Sequence, residues 1–205
     1  MLMIAALSNQ SVLSGTTKSG QIQETSDEAL VGAIAEDDRL AMRTLYVRHN
    51  VRVYRFVRRL VKDTALAEDI VSDVFLEVWR QADAFKSKSR ALTWLLGIAR
   101  NKALSALRRR RDMQLDDRMV VGIADPAEDA ETMLEHGARN ATIRECLSQL
   151  STLHQEVIDL VYYHEKSVEE VAEIVGVPVN TVKTRMFNAR RRMQGLLETA
   201  GVSCH

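Results

Sequence analysis

Apolar side chains recur at steps of three and four residues along most of the chain, a spacing typical of helices with one buried face. In the first half, this pattern predicts four helices, over 27–36, 38–61, 65–81 and 90–111. Thr25 and Glu28 have the spacing of a capping box before the first helix, and Asp63 can cap the third. A loop over 82–89 precedes the fourth helix, which closes on a run of arginines.

The second half of the chain shows the same periodicity. It predicts four more helices, over 131–149, 152–163, 167–176 and 179–198. Capping-box spacings precede two of them, from Thr152 to Gln155 and from Ser167 to Glu170. Since every segment with a regular pattern is helical, the predicted fold class is all-α.

Three segments lack the helical pattern and divide the chain into parts. Residues 1–25 are rich in Ser, Thr and Gly, a composition that predicts a disordered tail. Residues 113–130 are acidic and contain Pro126, which predicts a flexible linker. The predicted parts are therefore two small helical domains over 26–112 and 131–198, the linker between them, and a C-terminal tail over 199–205.

The overall composition excludes several classes of protein. Two cysteines are too few for a disulfide framework, which favours a reducing, cytoplasmic location. Nine glycines and two prolines are too few for an all-β protein with many tight turns. No run of about 18 apolar residues is present, so membrane insertion is not expected.

The charge of the chain is balanced in total but unevenly distributed. There are 28 basic and 28 acidic residues, and segments 26–112 and 113–140 carry net charges of +6 and −5. Residues 179–192 hold five basic residues and no acid. Basic surfaces of this kind are typical of nucleic-acid-binding proteins, although for a single charge run taken alone a solvated helix face is the favoured interpretation.

The stretch VEEVAEIVGVPVNTVKTRMFNARRR predicts a helix-turn-helix, in which the second helix enters the major groove of DNA. Ala172 is small enough for a close helix crossing, Gly176 supplies the left-handed turn, and Val182 points back into the core. The predicted groove-facing residues are Thr181, Lys183, Thr184, Arg185, Phe187 and Asn188, with Arg190, Arg191 and Arg192 placed for phosphates. An ordinary αα-hairpin is the alternative.

Two further patterns lie in the first half. Asp69, Asp73 and Glu77 recur at steps of four and form an acidic ridge with little Lys or Arg placed in sequence to neutralise it. The four arginines over 108–111 complement the macrodipole of a helix C-terminus, so a structural role explains part of that run.

Both halves resemble a known family. TALAEDIVSDVFLEVWRQADAF and ALTWLLGIARNKALSALRRRR resemble region 2 of bacterial sigma factors. SQLSTLHQEVIDLVYYHEKSVEEVAEIVGVPVNTVKTRMFNARRRM resembles region 4. The order of the blocks and the lack of a region 3 domain resemble the extracytoplasmic-function (ECF) subfamily, and the resemblance covers residues 26–198.

The resemblance implies roles for particular residues. Core RNA polymerase would contact the acidic ridge Asp69, Asp73 and Glu77 together with Arg52 and Arg55. The −10 element, as a single strand, would contact Phe85, Lys86, Ser87, Lys88, Trp94, Arg100, Asn101, Lys102 and Arg108. The −35 duplex would contact Thr181, Lys183, Thr184, Arg185, Phe187, Asn188, Arg190 and Arg191. Core packing is an alternative role for Trp94, and some relatives carry Arg at the position of Asn188, which leaves the −35 base preference open.

The same resemblance implies the partners. These are bacterial core RNA polymerase, promoter DNA and an anti-sigma factor, whose type the sequence does not distinguish. We expect no cofactor, no metal, and a free monomer whose two domains move about the linker. The acidic linker would pass through the polymerase near the RNA exit path.

Other classes of function fit the sequence less well. An enzyme is not expected, because no nucleotide-binding or nucleophile motif is present and the five histidines show no zinc spacing. Cys204 and His205 are better explained as a frayed terminus than as a metal site. A helix-turn-helix regulator that never binds polymerase is the main alternative, and an anti-sigma-like adaptor is a weaker one.

Overall fold

The computed structural model describes residues 25–85, 89–116 and 137–201, and in these ranges the regular structure is entirely helical. The first domain contains α1 (Asp27–Ala35), α2 (Arg39–Val61), α3 (Thr64–Gln81), a 3₁₀ turn (Ala82–Ala84) and α4 (Ala91–Asp116). The second contains α5 (Gly137–Ser148), α6 (Thr152–Ile158), a π-helical turn (Asp159–Tyr163), α7 (Val168–Val175) and α8 (Val179–Thr199). The all-α prediction is confirmed.

The helix limits agree with the sequence pattern except at α4. That helix continues to Asp116, four residues into the segment predicted as linker. The rest of the predicted linker and the N-terminal tail over 1–24 lie outside the described residues, as does the start of the helix predicted over 131–149.

The predicted capping box at the start of α1 is wrong. Ser26 is the cap, and its hydroxyl accepts a hydrogen bond from the amide of Ala29 at 3.1 Å. Glu28 instead accepts from the amide of Ala91 at the start of α4, also at 3.1 Å. A side chain that could have closed a local cap therefore joins two helices that are distant in sequence.

The cap of α6 also differs from the prediction by one residue. Ser151 occupies the N-cap position, and its hydroxyl accepts from the amide of His154 at 3.4 Å. The Gln155 amide, predicted to reach back toward Thr152, donates to three carbonyls within residues 147–150. It thereby fastens the end of α5 to α6 and satisfies carbonyls that a helix end leaves free.

The core of the first domain lies between α2, α3 and α4. Leu45, Phe56, Val74, Leu95 and Leu96 are fully buried there. Burying such side chains is the main stabilising contribution, at about 1.5–3 kcal/mol for each.

Polar contacts fix α1 on this core. Asp27 accepts hydrogen bonds from Arg48 Nη1 at 2.8 Å and from His49 Nε2 at 2.7 Å, both on α2. His49 lies in the apolar stripe of α2 and is buried, so its polar edge requires the partner that Asp27 provides.

The core of the second domain is smaller and joins α6, α7 and α8. Val157, Leu160, Val171, Val182 and Ala189 are each fully buried in it. Such a small core buries less apolar surface per residue and stabilises the domain less by itself.

The two domains pack against each other, and their buried side chains form one continuous apolar cluster. α4 lies along α7, and the end of α2 lies against the π-helical turn. The sequence predicts domains that move about the linker, whereas here they share an interface. Periodicity identifies buried stripes within each helix but not the polar residues that meet between domains, so the interface could not be predicted.

Candidate nucleic-acid and polymerase interfaces

The turn between α7 and α8 has the geometry of a helix-turn-helix. Ser167 and Glu170 form the predicted capping box at the start of α7, with hydrogen bonds of 3.1 and 3.0 Å. Gly176 ends α7 in the left-handed region at φ 71°, which a glycine adopts without strain. Pro178 then occupies the N-cap of α8.

α8 presents one buried and one exposed face. Val182, Met186 and Ala189 recur at steps of four and three and are buried against α7 and α6. The predicted groove-facing residues Lys183, Thr184, Phe187 and Asn188 are all exposed. Phe187 leaves 65% of its surface in solvent, an unusual position for an aromatic ring that has only a packing role.

Some of the other α8 residues that were predicted to contact DNA are partly buried or hydrogen-bonded within the protein. Thr181 and Arg185 are half-buried, and Nη1 of Arg185 is buried with no hydrogen-bond partner among the described residues. Arg190 is exposed, donates to the Tyr162 hydroxyl at 3.1 Å and lies over that ring. Arg191 is exposed at the same end of the helix.

Two aromatic rings flank the segment predicted to hold the −10 strand. The ring centroids of Phe85 and Trp94 lie 5.0 Å apart at an angle of 41°, and both side chains are half-buried. Trp94 therefore contributes to core packing and leaves part of its ring exposed. Lys86, Ser87 and Lys88 lie outside the described residues.

The predicted strand-facing residues of α4 point in different directions. Asn101 and Arg108 are exposed. Lys102 Nζ donates to Glu77 Oε2 on α3 at 2.6 Å, and Arg100 turns toward the second domain. Since Lys102 and Arg100 are engaged in ion pairs, they would have to exchange partners before they contacted DNA.

The acidic ridge is partly neutralised, contrary to the expectation that it lacks nearby bases. Asp69 and Asp73 are exposed, whereas the carboxylate of Glu77 accepts hydrogen bonds from Lys102 Nζ and from the side-chain amide of Gln81. The hydrogen bond from Lys102 is the main reason that the pKa of Glu77 is lowered. Sequence reasoning missed this pair because Lys102 lies on another helix.

Arg52 and Arg55 lie on α2 and are exposed. Their positive charges contribute to the lowered pKa of His164 in the second domain. Asp69 and Asp73 belong to a different helix, so core polymerase would have to contact two separate elements to use all four residues.

Comparison with known proteins identifies the family. The model of sigma-70 region 2 matches residues 45–112, and that of sigma-70 region 4 matches residues 141–193. The ECF RNA polymerase sigma factor SigK of Mycobacterium tuberculosis (strain ATCC 25618 / H37Rv) is 32% identical over 176 residues, which cover 84% of this chain and 94% of the relative. The chain belongs to the ECF family of RNA polymerase sigma factors.

Further relatives agree with this assignment. SigK of Mycobacterium sp. (strain KMS) is 31% identical over 180 residues, or 86% of this chain and 91% of that relative. Among solved structures, the sigma factor RpoE of Bartonella quintana, in complex with the anti-sigma factor NepR, is 28% identical with a TM-score of 0.65. It matches 75% of this chain and 94% of its own. CnrH in complex with the cytosolic domain of CnrY is 25% identical with a TM-score of 0.63, over 85% and 99% of the two chains.

The interface between the two domains of this sigma factor contains polar pairs that the sequence did not predict. Arg100 donates to both carboxylate oxygens of Glu156, at 2.6 and 3.3 Å. Arg59 donates to Asp159, and its guanidinium lies 3.9 Å from the centre of the Tyr163 ring. No local signal marks these pairs, because each joins residues at least 56 positions apart.

A third polar group joins α4 to the start of α7. The Thr93 hydroxyl donates to Glu170 at 2.6 Å, and Lys166 Nζ donates to both of them at 3.1 Å. Burial alone would raise the pKa of Glu170, but the hydrogen bonds from Thr93, Ser167 and Lys166 prevail and lower it to about 2.

His164 completes the interface. It is buried edge-on against Phe56 of α2, with ring centroids 5.5 Å apart. Burial and the positive charges of Arg59 and Arg52 lower the pKa of His164 to about 4. The ring is therefore neutral at pH 7.

The described residues of this sigma factor form neither a metal-binding cluster nor a membrane-spanning helix. Within the described ranges, no group of three or more His, Cys, Asp or Glu residues is placed to hold a metal ion. None of the described helices combines the length and the apolar character needed to cross a membrane. Cys146 is a buried free thiol of α5, and Cys204 and His205 lie outside the described residues.

Proposed function

We propose that this ECF sigma factor reads the −35 duplex through the exposed face of α8 and the −10 strand through α4 with the segment before it. The observation that carries the proposal is the division of α8 into a buried apolar face and an exposed face with Lys183, Phe187 and Asn188. Such a face fits the major groove, where Lys and Asn donate to base edges and an apolar group contacts the thymine methyl.

The roles within α4 follow from exposure and chemistry. Asn101 is exposed and has an amide suited to base edges, so we assign it to −10 base reading. Trp94 and Phe85 offer ring surface on which an unstacked base can stack. Arg108, exposed further along α4, supplies a positive charge for phosphates.

We assign binding of core polymerase to the acidic ridge, mainly through Asp69 and Asp73. Both are exposed, whereas Glu77 already pairs with Lys102. Exposed carboxylates keep their hydration until a basic partner arrives, so they steer association at little cost to the free protein. As an initiation factor, the chain would supply positioning and strand separation rather than a catalytic group, and it would work in the cytoplasm beside the polymerase.

We further propose control by an anti-sigma factor. RpoE of Bartonella quintana, with which this chain shares its fold, was solved in complex with one. An apolar groove in the second domain is a candidate contact, lined by Leu147, Ile158, Tyr162 and Met193. The neighbouring open reading frame is the first place to look for the partner.

The decisive experiment is run-off transcription with core polymerase and candidate promoters. Core enzyme with the full chain should initiate, and Lys183→Ala together with Asn188→Ala should abolish initiation that depends on the −35 element. Gln194→Ala, an exposed change further along α8, is the matched control and should behave like the unaltered chain. Footprints on duplex DNA without any initiation would instead favour a regulator that does not bind polymerase.

A further inference from the structure

The N-terminus of α4 takes a hydrogen-bond acceptor from another helix. Ala91 is the first residue of α4, and an amide in the first turn of a helix has no acceptor within that helix. The preceding residue is Arg90, whose side chain only donates hydrogen bonds and cannot cap. The acceptor is instead the Glu28 carboxylate of α1, 3.1 Å from the Ala91 nitrogen. Because Ala91 is buried, loss of Glu28 would leave that amide without an acceptor.

α1, which carries Glu28, is itself fixed on α2. Asp27 accepts hydrogen bonds from Arg48 and His49 of α2, at 2.8 and 2.7 Å. Arg48 also donates to the carbonyl oxygen of Thr25 at 2.8 Å. Two consecutive acids of α1 thus contact two different helices, since Asp27 binds α2 and Glu28 binds α4. The start of α4 is therefore held, through α1, at a defined position relative to α2.

α1 also contacts the chain at the end of α3. The 3₁₀ turn Ala82–Ala84 packs on α1, and Ala82 is buried. Phe85 follows this turn, and its amide donates to the carbonyl oxygen of Ala82 at 3.2 Å. α1 therefore supports the backbone next to Phe85 and the backbone next to Trp94, and the centroids of these two rings lie 5.0 Å apart.

The relative position of the two rings determines how much ring surface an unpaired base can meet. Both rings are half-buried, so their backbones and neighbours decide which ring faces remain exposed. Trp94 lies three residues after Ala91, within the first turn of α4, so a displacement of the Ala91 amide also displaces Trp94. Base stacking on a ring depends on such placement, because the flat faces have to overlap.

We propose that Glu28 is a positioning residue: by accepting from Ala91, it places the Trp94 ring where an unpaired base of the −10 strand stacks. The proposal rests on the proposed function, since it concerns a ring assigned there to the −10 strand. Glu28 acts through the first turn of α4 and does not itself contact DNA. The property that it supplies is an acceptor oxygen at the right distance, and its negative charge is not required.

The first test observes the ring directly. The chain contains two tryptophans, Trp79 and Trp94, so Trp79→Phe leaves Trp94 as the source of indole emission. In that background Glu28→Ala should shift the emission to longer wavelength and increase its quenching by iodide, because the displaced ring gains contact with water. Glu28→Gln keeps an acceptor oxygen at the same reach and should show neither change. Glu28→Asp keeps the charge but is one methylene shorter, so it should behave like Glu28→Ala.

The second test measures DNA binding by the holoenzyme assembled from core polymerase and the full chain. The probe is a fluorescein-labelled single strand with the −10 element of a promoter at which the unaltered chain initiates, and binding is followed by anisotropy. Glu28→Ala should lower the affinity for this strand about tenfold, the effect of weakening one base–ring stack. Glu28→Gln should bind like the unaltered chain. The affinities for a −35 duplex and for core polymerase should stay unchanged in both variants.

Glu36→Ala is the matched control, because it removes an exposed acid from the C-terminal end of the same helix. It should change neither the emission of Trp94 nor the affinity for the −10 strand. Far-UV circular dichroism should show the same helix content in every variant, which separates a displaced turn from an unfolded domain.

The outcomes distinguish the positioning role from the proposed function. Unchanged emission in Glu28→Ala, or an equal loss of affinity for the −10 strand, the −35 duplex and core polymerase, would overturn the positioning role. A Glu28→Gln variant as defective as Glu28→Ala would also overturn it, since the charge at the helix N-terminus would then be the property that matters. If the unaltered chain fails to initiate while Glu28→Ala still shifts the emission of Trp94, the proposed function fails and the contact stands as a property of the fold.

Discussion

The guanidinium of Arg100 in the first domain donates two hydrogen bonds to the carboxylate of Glu156 in the second, and both side chains are nearly buried. Neither residue has another charged partner as close among the described ion pairs. The position of one domain on the other therefore depends on a polar contact whose members are 56 residues apart in sequence.

Glu156→Ala should lower the free energy of unfolding, because it removes the ion pair that joins the two domains. Breaking a buried ion pair costs about 3–5 kcal/mol when the remaining charge stays buried. Because domain opening lets Arg100 return to water, we expect a smaller loss in the free energy of unfolding, roughly 1–3 kcal/mol. Urea denaturation followed by circular dichroism measures this free energy. As a control, Glu173→Ala at an exposed position should change the free energy of unfolding by less than about 0.5 kcal/mol.

The free energy of unfolding should decrease as the pH is lowered through the range in which His164 titrates. The folded-state pKa of His164 is lowered to about 4 from the ordinary 6.5, through burial and the charges of Arg59, Arg52, Lys166 and Arg55. The unfolded chain therefore binds a proton between these values that the folded chain does not. Unfolding free energy is lost as the pH falls from 6.5 toward 4, by at most about 1.4 kcal/mol per pH unit.

A variant isolates this contribution from that of other groups. His164→Leu removes the titrating ring, so the slope between pH 6.5 and 4.5 should decrease, whereas His154→Gln should retain it. Asp159 lies 3.5 Å from His164, but its carboxylate is also engaged by Arg59 and does little to favour a protonated ring. Glu170, with its pKa lowered to about 2, adds a loss of stability below pH 4.5. An unchanged slope in His164→Leu would contradict the assignment.

Lys183→Ala should weaken initiation at promoters that need the −35 element, by about 5- to 150-fold if the contact is to a base edge. A contact to phosphate would instead weaken binding to all sequences and lower the salt slope by about one unit. Transcription titrations at several salt concentrations distinguish the two, with Gln194→Ala as the reference.

Asn101→Ala should change the preferred base in the −10 element and leave the affinity for core polymerase intact. Asn101 is exposed on α4 and is not part of the buried core, so truncation should preserve the fold. Transcription from promoters with each base at every −10 position, together with a core-binding titration, measures both properties. Loss of core binding would mean that this side of α4 faces the polymerase.

Much of the fold follows from local pattern. The helix stripes, the break at Asp63, the Ser167–Glu170 capping box and the left-handed turn at Gly176 were all predictable, because each depends on side chains within a few residues of one another. The exposed face of α8 follows in the same way, since burying Val182 and Met186 turns Lys183 and Phe187 outward.

Only the tertiary structure decided which polar groups meet. Glu28 accepts a hydrogen bond from Ala91 on α4 instead of closing a local cap. Lys102 pairs with Glu77 on α3, and Arg100, predicted to contact DNA, pairs with Glu156 of the second domain. Each of these contacts depends on which helices lie side by side. A charged side chain has several possible partners of similar energy in the sequence, and only the packing of the helices determines which of them is within reach. In the part of the chain that the structure describes, the sequence by itself determined eight α-helices, and packing determined which charged side chains stay free to bind DNA.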